Sequence, residues 1–172
     1  FTVFNDSNDD RNHITGVLPN GNVVVVFRRY NSDTSTQVDM GYVMSADNGS
    51  TWGSYNIIES DPLVPFGNLL VRGSDVYFVT YQVLPEGNIF RLYKSANNFS
   101  SFTNSDLLGI ISNNAVEPVI VDISGGKSIM IARNDDYINT GQPSFYQYNS
   151  SDGVNFTYKG VTNLWSDKNH SV

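Results

Sequence analysis

The 172-residue sequence contains no cysteine and only two histidines, His13 and His170. The absence of cysteine excludes disulfide bonds, thiolate zinc sites and a cysteine nucleophile. Two histidines are too few for a histidine-rich metal site, and they make a Ser-His-Asp triad or a histidine-based zinc centre a poor starting hypothesis. We therefore predict no metal site of these kinds.

Basic residues and long apolar runs are scarce as well. Ten Lys and Arg residues stand against 17 Asp and Glu, which gives a net charge of −7. This sign of charge disfavours nucleic acid and anionic membrane surfaces as partners. The longest apolar run, 23–27, is far shorter than the ~20 residues of a membrane-spanning helix, so we expect no membrane insertion. The 40% of hydrophobic residues nevertheless suffices for a packed core.

Strand-like runs recur along the chain, whereas helical periodicity is missing. No window keeps apolar residues at helical spacing for three turns without a Gly, Pro or Asn-rich break. β-Branched and aromatic residues concentrate at 22–30, 37–45, 75–83, 116–123 and 128–133, and turn sequences such as Ser124-Gly125-Gly126 separate the runs. About a dozen strands at roughly 8 to 12 residue spacing predict an all-β sandwich, barrel or propeller.

An internal repeat selects the propeller. Four pairs of identical residues lie 105 positions apart, namely Gly21 and Gly126, Arg28 and Arg133, Ser45 and Ser150, and Asp47 and Asp152. A third copy lies between them, because Ser95 and Phe102 follow Ser45 and Trp52 by 50 positions. A repeat of roughly 50 to 55 residues with four strand-like runs is typical of a propeller blade.

The repeat divides the single segment 1–172 into three four-stranded blades. We predict blade 1 with an N-terminal strand at 1–60, blade 2 at 61–110, blade 3 at 111–164, and a linker or the start of a further blade at 165–172. Three blades are fewer than the roughly four to eight that close a propeller. The sequence therefore predicts half of a six-bladed ring, which the rest of a longer chain or a second copy completes.

The segment from Ser45 to Trp52 fits the pattern S-x-D-x-G-x-T-W at every specified position. It resembles the Asp box, the repeat of bacterial neuraminidases and related β-propellers. The 150–156 segment resembles a shorter form, and 95–102 a decayed copy. We interpret the motif as structural, although direct binding is an alternative, because an Asp can cap a turn, Gly supplies positive φ and an aromatic residue fills the space between sheets. The motif residues are Ser45, Asp47, Gly49, Thr51, Trp52, Ser150, Asp152 and Phe156.

The resemblance to the sialidase superfamily implies a functional site at the opposite end of the blades. In that family three arginines clamp a carboxylate, an Asp is the acid/base, and a Glu supports a Tyr nucleophile. Glu117-Pro118, a strand, a Gly turn and Arg133 are similar to the family's Glu-to-Arg segment. The resemblance thus implies that Glu117 supports the Tyr, that Arg133 belongs to the clamp and that Asp33 is the acid/base. The substrate-binding candidates are Arg11, His13, Arg28, Arg29, Tyr81 and Asp135.

The sequence also departs from the family pattern. Where the family has Arg-Ile-Pro, with the first clamp arginine, this chain has His13-Ile14-Thr15. Arg11 would share a strand face with position 13 in a regular strand and could substitute for that arginine. The nucleophilic Tyr and the last arginine belong to later blades than this chain contains.

Each candidate has a structural alternative. Arg28 and Arg133 could be blade architecture, such as salt bridges to a neighbouring blade, and Glu117 could be a solvated carboxylate at a strand edge. Asp33 could cap a turn, and Tyr81, like Tyr77 and Tyr93, could pack between blades. The segment 5–10 has enough hard oxygen ligands for calcium, but it lacks the Gly and distal Glu of an EF-hand loop, which favours a solvated loop. No other cofactor is expected.

Three functional hypotheses follow. The first is part of a sialidase-like exo-glycosidase, and the second is a non-catalytic glycan-binding module of a phage tail or cell-surface protein. The third is a blade array that organises an assembly. The first two share a glycan as partner and an extracellular, cell-surface or virion-associated location, and the sequence leaves the choice between catalysis and recognition open.

Overall fold

A computed structural model describes residues 2–61, 63–107, 114–135 and 144–162. Within these residues there are twelve β-strands and one short 3₁₀ turn at Ser124–Gly126. The first four strands are β1 (Asp9–Val17), β2 (Val23–Asn31), β3 (Thr36–Ser45) and β4 (Asn56–Glu59). The next four are β5 (Val64–Arg72), β6 (Asp75–Gln82), β7 (Ile89–Ser95) and β8 (Thr103–Asp106). The last four are β9 (Ala115–Ile123), β10 (Lys127–Asn134), β11 (Phe145–Ser150) and β12 (Phe156–Thr162).

The strands form three antiparallel four-stranded sheets in which sequence neighbours pair: β1–β4, β5–β8 and β9–β12. We call these sheets blades 1, 2 and 3. The contacts between blades are made chiefly by β1 with β5 and by β5 with β9, so the first strand of each blade is the inner strand. This arrangement is a partial β-propeller, and the predicted all-β propeller class is confirmed. The sheets lie within the three ranges predicted for the blades, while the proposed linker at 165–172 lies outside the described residues.

The hydrophobic core lies between the blades. Alternation along β2 directs Val24 and Val26 towards blade 2, where they join a buried cluster with Phe78 and Tyr93. A second cluster joins blades 2 and 3 in the same way and contains Val79, Phe90, Ile120, Met130 and Tyr148. Each blade thus buries one face against the next, and none of the described residues form a helix long and apolar enough to cross a membrane.

Each inner strand contains an irregularity at the equivalent place. The pairing register shifts in β1 between Arg11 and Ile14 and in β5 between Phe66 and Leu70. In β9 it shifts between Val116, which pairs with Arg133, and Val119, which pairs with Ile131. Glu117 lies in this interruption of the ladder, opposite Ala132. Asn12, Gly67 and Glu117 adopt positive φ angles of 57°, 87° and 55° at these bulges. Gly67 is required there, since an added Cβ would lie 3.0 Å from the carbonyl oxygen of Pro118 in blade 3.

The turns after β3 and β11 lie at the end of the blades opposite these bulges, and each contains the same pattern of hydrogen bonds. In blade 1 the Ser45 hydroxyl donates to Asp47 Oδ1 at 2.7 Å, and the Thr51 N–H donates to the same oxygen at 2.8 Å. In blade 3 the Ser150 hydroxyl donates to Asp152 Oδ1 at 2.9 Å, and backbone N–H groups follow in the same manner. A carboxylate therefore satisfies the N–H groups that each turn leaves unpaired.

The turn of blade 2 keeps this network although its sequence lacks the Asp and the Gly. The Ser95 hydroxyl donates to Asn97 Oδ1 at 2.8 Å, and the Ser101 N–H donates to the same oxygen at 3.0 Å. Phe99 occupies the place of the turn glycine with a φ of 71°, and its side chain is fully buried. The amide oxygen of Asn97 thus takes the place of the carboxylate, and the turn keeps its structure. Phe99, in the place of the glycine, adds a buried side chain to the core.

We expect the Asp47 turn to weaken in acid. The side-chain hydroxyl and the backbone N–H of Thr51 lower the pKa of Asp47 to about 2, whereas an unfolded Asp titrates near ~3.9. Because the folded pKa is the lower one, the stabilising contribution is complete above about pH 4 and is lost as the pH falls towards about 2. Asp47→Asn, which copies Asn97, should therefore reduce the acid-induced loss of unfolding free energy between about pH 5 and pH 2.5. Urea denaturation at both pH values measures this loss, and an unchanged loss in the variant would contradict the assignment.

Candidate functional site

Three side chains occupy equivalent positions at one end of the blades. The second strands of the blades can be aligned by the residues that pair with the serines of the turns. These pairs are Val23 with Ser45, Val76 with Ser95 and Ser128 with Ser150. Five residues further along β2, β6 and β10 lie Arg28, Tyr81 and Arg133, which we call the site row. The site row lies where the inner strands begin, so it is at the opposite end of the blades from the turns that contain Asp47 and Asp152.

In blade 3 the arginine of the site row is neutralised by two carboxylates. Arg133 Nη2 donates to Glu117 Oε1 at 3.0 Å, and Nε lies 2.7 Å from Oε2 in an ion contact without hydrogen-bond alignment. Asp135 Oδ1 lies 3.1 Å from Arg133 Nη1. The side chains of Arg133 and Glu117 are 35% and 24% exposed. All three residues belong to blade 3, so this ion pair is not a salt bridge to a neighbouring blade.

Glu117 is held in a strained conformation. Its φ of 55° is one that residues with a side chain rarely adopt, and the bulge of β9 imposes it. Such strain costs on the order of 1–3 kcal/mol and is concentrated at functional sites. The observation favours a functional role for Glu117 over that of a solvated strand-edge carboxylate.

In blade 1 the arginine of the site row has only neutral hydrogen-bond acceptors among the described residues. Arg28 Nε donates to Asn12 Oδ1 at 2.8 Å, and Nη1 approaches Gln37 Oε1 at 3.3 Å. Its guanidinium carbon lies 5.7 Å from the ring centre of Tyr30. Burial lowers the pKa of Arg28, since the charged form loses hydration there.

Tyr81 is the site-row residue of blade 2, and its ring packs against the core cluster between blades 2 and 3. Burial raises the pKa of its hydroxyl, and the negative charge of Glu117 raises it further, while the charges of Arg28 and Arg133 act in the opposite direction. The hydroxyl is therefore protonated at neutral pH. Tyr77 and Tyr93, by contrast, are core residues that are 8% and 1% exposed.

Arg11 and His13 point to opposite faces of β1, so the expectation based on a regular strand is wrong. Arg11 stands opposite Arg28, ion-pairs with Asp9 at 2.6 Å and lies over the Tyr30 ring at 4.1 Å. The ring of His13 lies 5.9 Å from that of Phe27 on the other face. The bulge at Asn12 causes the difference, because an extra residue reverses the alternation. Arg11 therefore lies beside the site row and His13 does not.

Arg29 is also separated from the site row. Its guanidinium binds both carboxylate oxygens of the buried Asp39, donates to Asp6 Oδ2 at 2.8 Å and lies over the Tyr55 ring at 4.4 Å. The hydrogen bonds to Asp39 raise the pKa of Arg29.

Asp6 belongs to the acidic 5–10 segment, and in the described parts of the chain no group of three or more His, Cys, Asp or Glu side chains could hold a metal ion.

Asp33 lies in the exposed turn between β2 and β3, at the same end of blade 1 as the site row. The turn is capped by Asn31, whose Oδ1 accepts hydrogen bonds from the N–H groups of Asp33 and Thr34 at 3.0 and 3.1 Å. The residue that caps this turn is therefore Asn31 and not Asp33. An acid/base role for Asp33 stays a prediction.

Asn12 and Gln37 contact the site row but were not among the residues predicted from the sequence. The signal for Asn12 is present, because Asn12 and Glu117 lie 105 positions apart, as do Arg28 and Arg133. The pair Asn12–Arg28 in blade 1 thus corresponds to the pair Glu117–Arg133 in blade 3.

No known protein family and no curated protein sequence matches this chain. Solved structures do match it. A protein of unknown function from Dyadobacter fermentans has a TM-score of 0.73 and 12% identity over 91% of this chain and 52% of its own. An intramolecular trans-sialidase from Ruminococcus gnavus, in complex with oseltamivir carboxylate, has a TM-score of 0.68 and 10% identity over 94% of this chain and 56% of its own. An α-L-arabinofuranosidase from Fusarium graminearum has a TM-score of 0.65 and 15% identity over 89% and 48%.

These similarities define the fold of the chain as that of sialidase-like propellers. At 10–15% identity they show the fold alone. The chain spans about half the length of these solved structures, with coverage of 52%, 56% and 48% of their respective chains.

Proposed function

We propose that this chain is part of a glycan-directed propeller of the sialidase superfamily, and that the whole protein is a sialidase-like glycoside hydrolase. The observation that carries the proposal is the Glu117–Arg133 pair, held on a strained bulge at the same end of the blades as Tyr81 and Arg28. Strained carboxylates and arginines that gather at one end of the inner strands are typical of a binding site. The glycosidases among the similar structures support a carbohydrate as the ligand.

The residue roles implied by the family resemblance belong to this proposal. Glu117 supports a nucleophile, Arg133 binds the substrate and Asp33 is the acid/base, while Tyr81 and Arg28 contact the sugar. The turns that contain Asp47 and Asp152 act as Asp boxes and stabilise the blades. This division agrees with the position of the turns and of the site row at opposite ends of each blade.

Further blades, from the parent chain or a second copy, complete the ring in this proposal. Ile129 and Ile131 of blade 3 are only half-buried, whereas their equivalents in blade 1, Val24 and Val26, are fully buried by blade 2. Val121, opposite Ile129, is 55% exposed. An apolar face of this kind favours a following blade, and the glycan site is then shared with residues of that blade. We place the protein outside the cell, at a cell surface or on a virion, where glycans are encountered.

Activity on glycosides tests the proposal. Fluorogenic sialosides and arabinofuranosides are incubated with the protein, and binding of the corresponding sugars is measured in parallel. We expect turnover of at least one glycoside. Binding without turnover would instead indicate a recognition module of a phage tail or cell-surface protein, and the absence of both would contradict a glycan-directed function.

A further inference from the structure

The inner strands of blades 2 and 3 meet at their bulges. Gly67 lies in the bulge of β5, Glu117 and Pro118 lie in that of β9, and these two strands pack against each other. A Cβ atom at position 67 would lie 3.0 Å from the Pro118 carbonyl oxygen and 3.3 Å from the Val119 Cα atom. Both neighbours are backbone atoms, which cannot rotate away as the end of a flexible side chain can. Gly67 therefore sets how closely this part of β9 approaches β5.

A positive φ angle at the bulge does not by itself demand glycine. The equivalent bulges contain Asn12 with a φ of 57° and Glu117 with a φ of 55°, and both residues have side chains. What distinguishes Gly67 is the neighbouring blade, whose backbone occupies the place of a side chain. The glycine is thus explained by the contact with Pro118.

The bulge of β9 is the part of that strand that can yield to such a contact. The ladder with β10 is intact on both sides of it, at Val116 with Arg133 and at Val119 with Ile131. Between these pairs lie Glu117 and Pro118, and Pro118 is buried and has no N–H group for a ladder partner to hold. Its ring fixes its φ angle at about −65°. A displacement of the Pro118 carbonyl is therefore passed on to Glu117.

The contact of Glu117 with Arg133 depends on the direction of the Glu117 side chain. Arg133 Nη2 donates to Oε1 at 3.0 Å, and Nε lies 2.7 Å from Oε2. A contact through both carboxylate oxygens requires the correct angle as well as the correct distance. Rotation of the Glu117 backbone would turn the carboxylate away from the guanidinium. The geometry of this pair in blade 3 thus depends on a residue of blade 2.

We propose that Gly67 is a positioning residue, which fixes the Glu117–Arg133 pair by leaving room for the Pro118 carbonyl. It acts through Glu117 and has no side chain to offer to a ligand. The inference rests on the proposed function only where it connects the pair with glycans. It assigns a role at the site to a blade 2 residue that lies outside the site row.

Gly67→Ala tests this role, with Gly21→Ala as the matched control. Gly21 lies in the exposed turn between β1 and β2 and has a φ of 88°, against 87° for Gly67. A Cβ atom at position 21 would meet nothing within 4 Å beyond its chain neighbours. Both variants therefore have the same backbone penalty, and only Gly67→Ala brings an atom against Pro118. With fluorogenic sialosides and arabinofuranosides, we expect a loss of turnover or affinity of at least about tenfold for Gly67→Ala and less than about twofold for Gly21→Ala.

The ion pair itself is observed by NMR without any ligand. The Nε–H resonance of Arg133, identified by its loss in Arg133→Gln, reports the contact with Glu117 Oε2. The corresponding resonance of Arg72 reports its bond to Asp122 at the other end of β5 and β9. Gly67→Ala should shift the Arg133 resonance and leave that of Arg72 unchanged, while Gly21→Ala should shift neither. A shift of both resonances in Gly67→Ala would indicate that the blades move as a whole and that Gly67 has only a structural role.

Two further variants separate the contact from backbone strain and from effects elsewhere. Asn tolerates positive φ better than Ala, so Gly67→Asn covers the case in which Gly67→Ala fails to fold. It keeps the contact with Pro118 and should shift the Arg133 resonance and lower function in the same way, and full function would overturn the proposal. In a Glu117→Gln background, Gly67→Ala should lower function by less than about threefold, because it acts through Glu117. A further tenfold loss there would contradict that route.

The outcomes distinguish this role from the proposed function. If the Arg133 resonance shifts in Gly67→Ala and not in Gly21→Ala, while even the unaltered protein neither binds nor turns over a glycan, the positioning role stands and the glycan-directed function fails. If the unaltered protein acts on a glycan and Gly67→Ala acts on it equally well, or if the Arg133 resonance does not shift, the positioning role is wrong.

Discussion

Replacing Glu117 with Gln is expected to lower glycoside turnover, or glycan affinity if the protein only binds, by at least about 100-fold. The variant keeps the size of the side chain but removes the negative charge that faces Arg133 and Tyr81. Stability should change little. Arg133 retains Asp135 at 3.1 Å, and a partly exposed ion pair contributes only about 0–1 kcal/mol.

Glu117→Gly separates a functional role from an architectural one. Glycine adopts a φ of 55° without strain, so this variant removes the ion pair and relieves the backbone at the same time. We expect the same loss of function with an unfolding free energy within about 1 kcal/mol of the unaltered protein. If both variants lose several kcal/mol of stability while function falls only in proportion to the unfolded fraction, the pair is architectural and our assignment is wrong.

Replacing Phe99 with Ala is expected to lower the free energy of unfolding by about 3–5 kcal/mol. The ring is fully buried between blades 1 and 2, where its centre lies 5.0 Å from that of Phe102 and 5.3 Å from that of Tyr42. The Phe99 carbonyl also accepts the Tyr42 hydroxyl at 2.8 Å. Removal of the ring leaves a cavity in the contact between two blades.

Phe99→Gly gives the internal control for this assignment. Both variants create the cavity, but only glycine relieves the φ of 71°, which Ala still has to adopt. We therefore expect Phe99→Gly to be more stable than Phe99→Ala by about 0.5–1 kcal/mol, the reverse of the order for ordinary strand positions. Urea denaturation of the two variants measures the difference, and a less stable Gly variant would show that the backbone at Phe99 is not strained.

The fold could be predicted because its determinants are local and repeated. Strand-like runs such as 22–30 alternate between two buried faces, and the 105-residue offset identifies equivalent strands in blades 1 and 3. The structure places β2 at Val23–Asn31 and β10 at Lys127–Asn134, in agreement with that pattern. The copy in blade 2 was harder to recognise, because an amide oxygen satisfies the same turn N–H groups as a carboxylate and the motif no longer matches by residue type.

The arrangement of the site could be predicted only in part. The sequence indicates Arg28, Tyr81 and Arg133 as candidates, and the structure brings them to equivalent positions. The orientations of Arg11 and His13 could not be predicted, since they depend on a bulge in β1 that strand alternation does not reveal. Arg29 illustrates another limit: its neighbour Arg28 points into the site row, while Arg29 is held on the opposite face by Asp39 and Asp6.

The most direct test compares two arginines at opposite ends of the blades. Arg133 binds Glu117 at the site row, while Arg72 at the far end of β5 binds Asp122 of β9 with bonds of 2.7 and 2.9 Å. Glycan turnover and binding are measured for Arg133→Gln and Arg72→Gln. We expect at least about a 100-fold loss for Arg133→Gln and a change of less than about threefold for Arg72→Gln, whose loss is confined to stability. An equal loss in both variants, or full function in Arg133→Gln, would contradict a glycan site at the beginning of the inner strands.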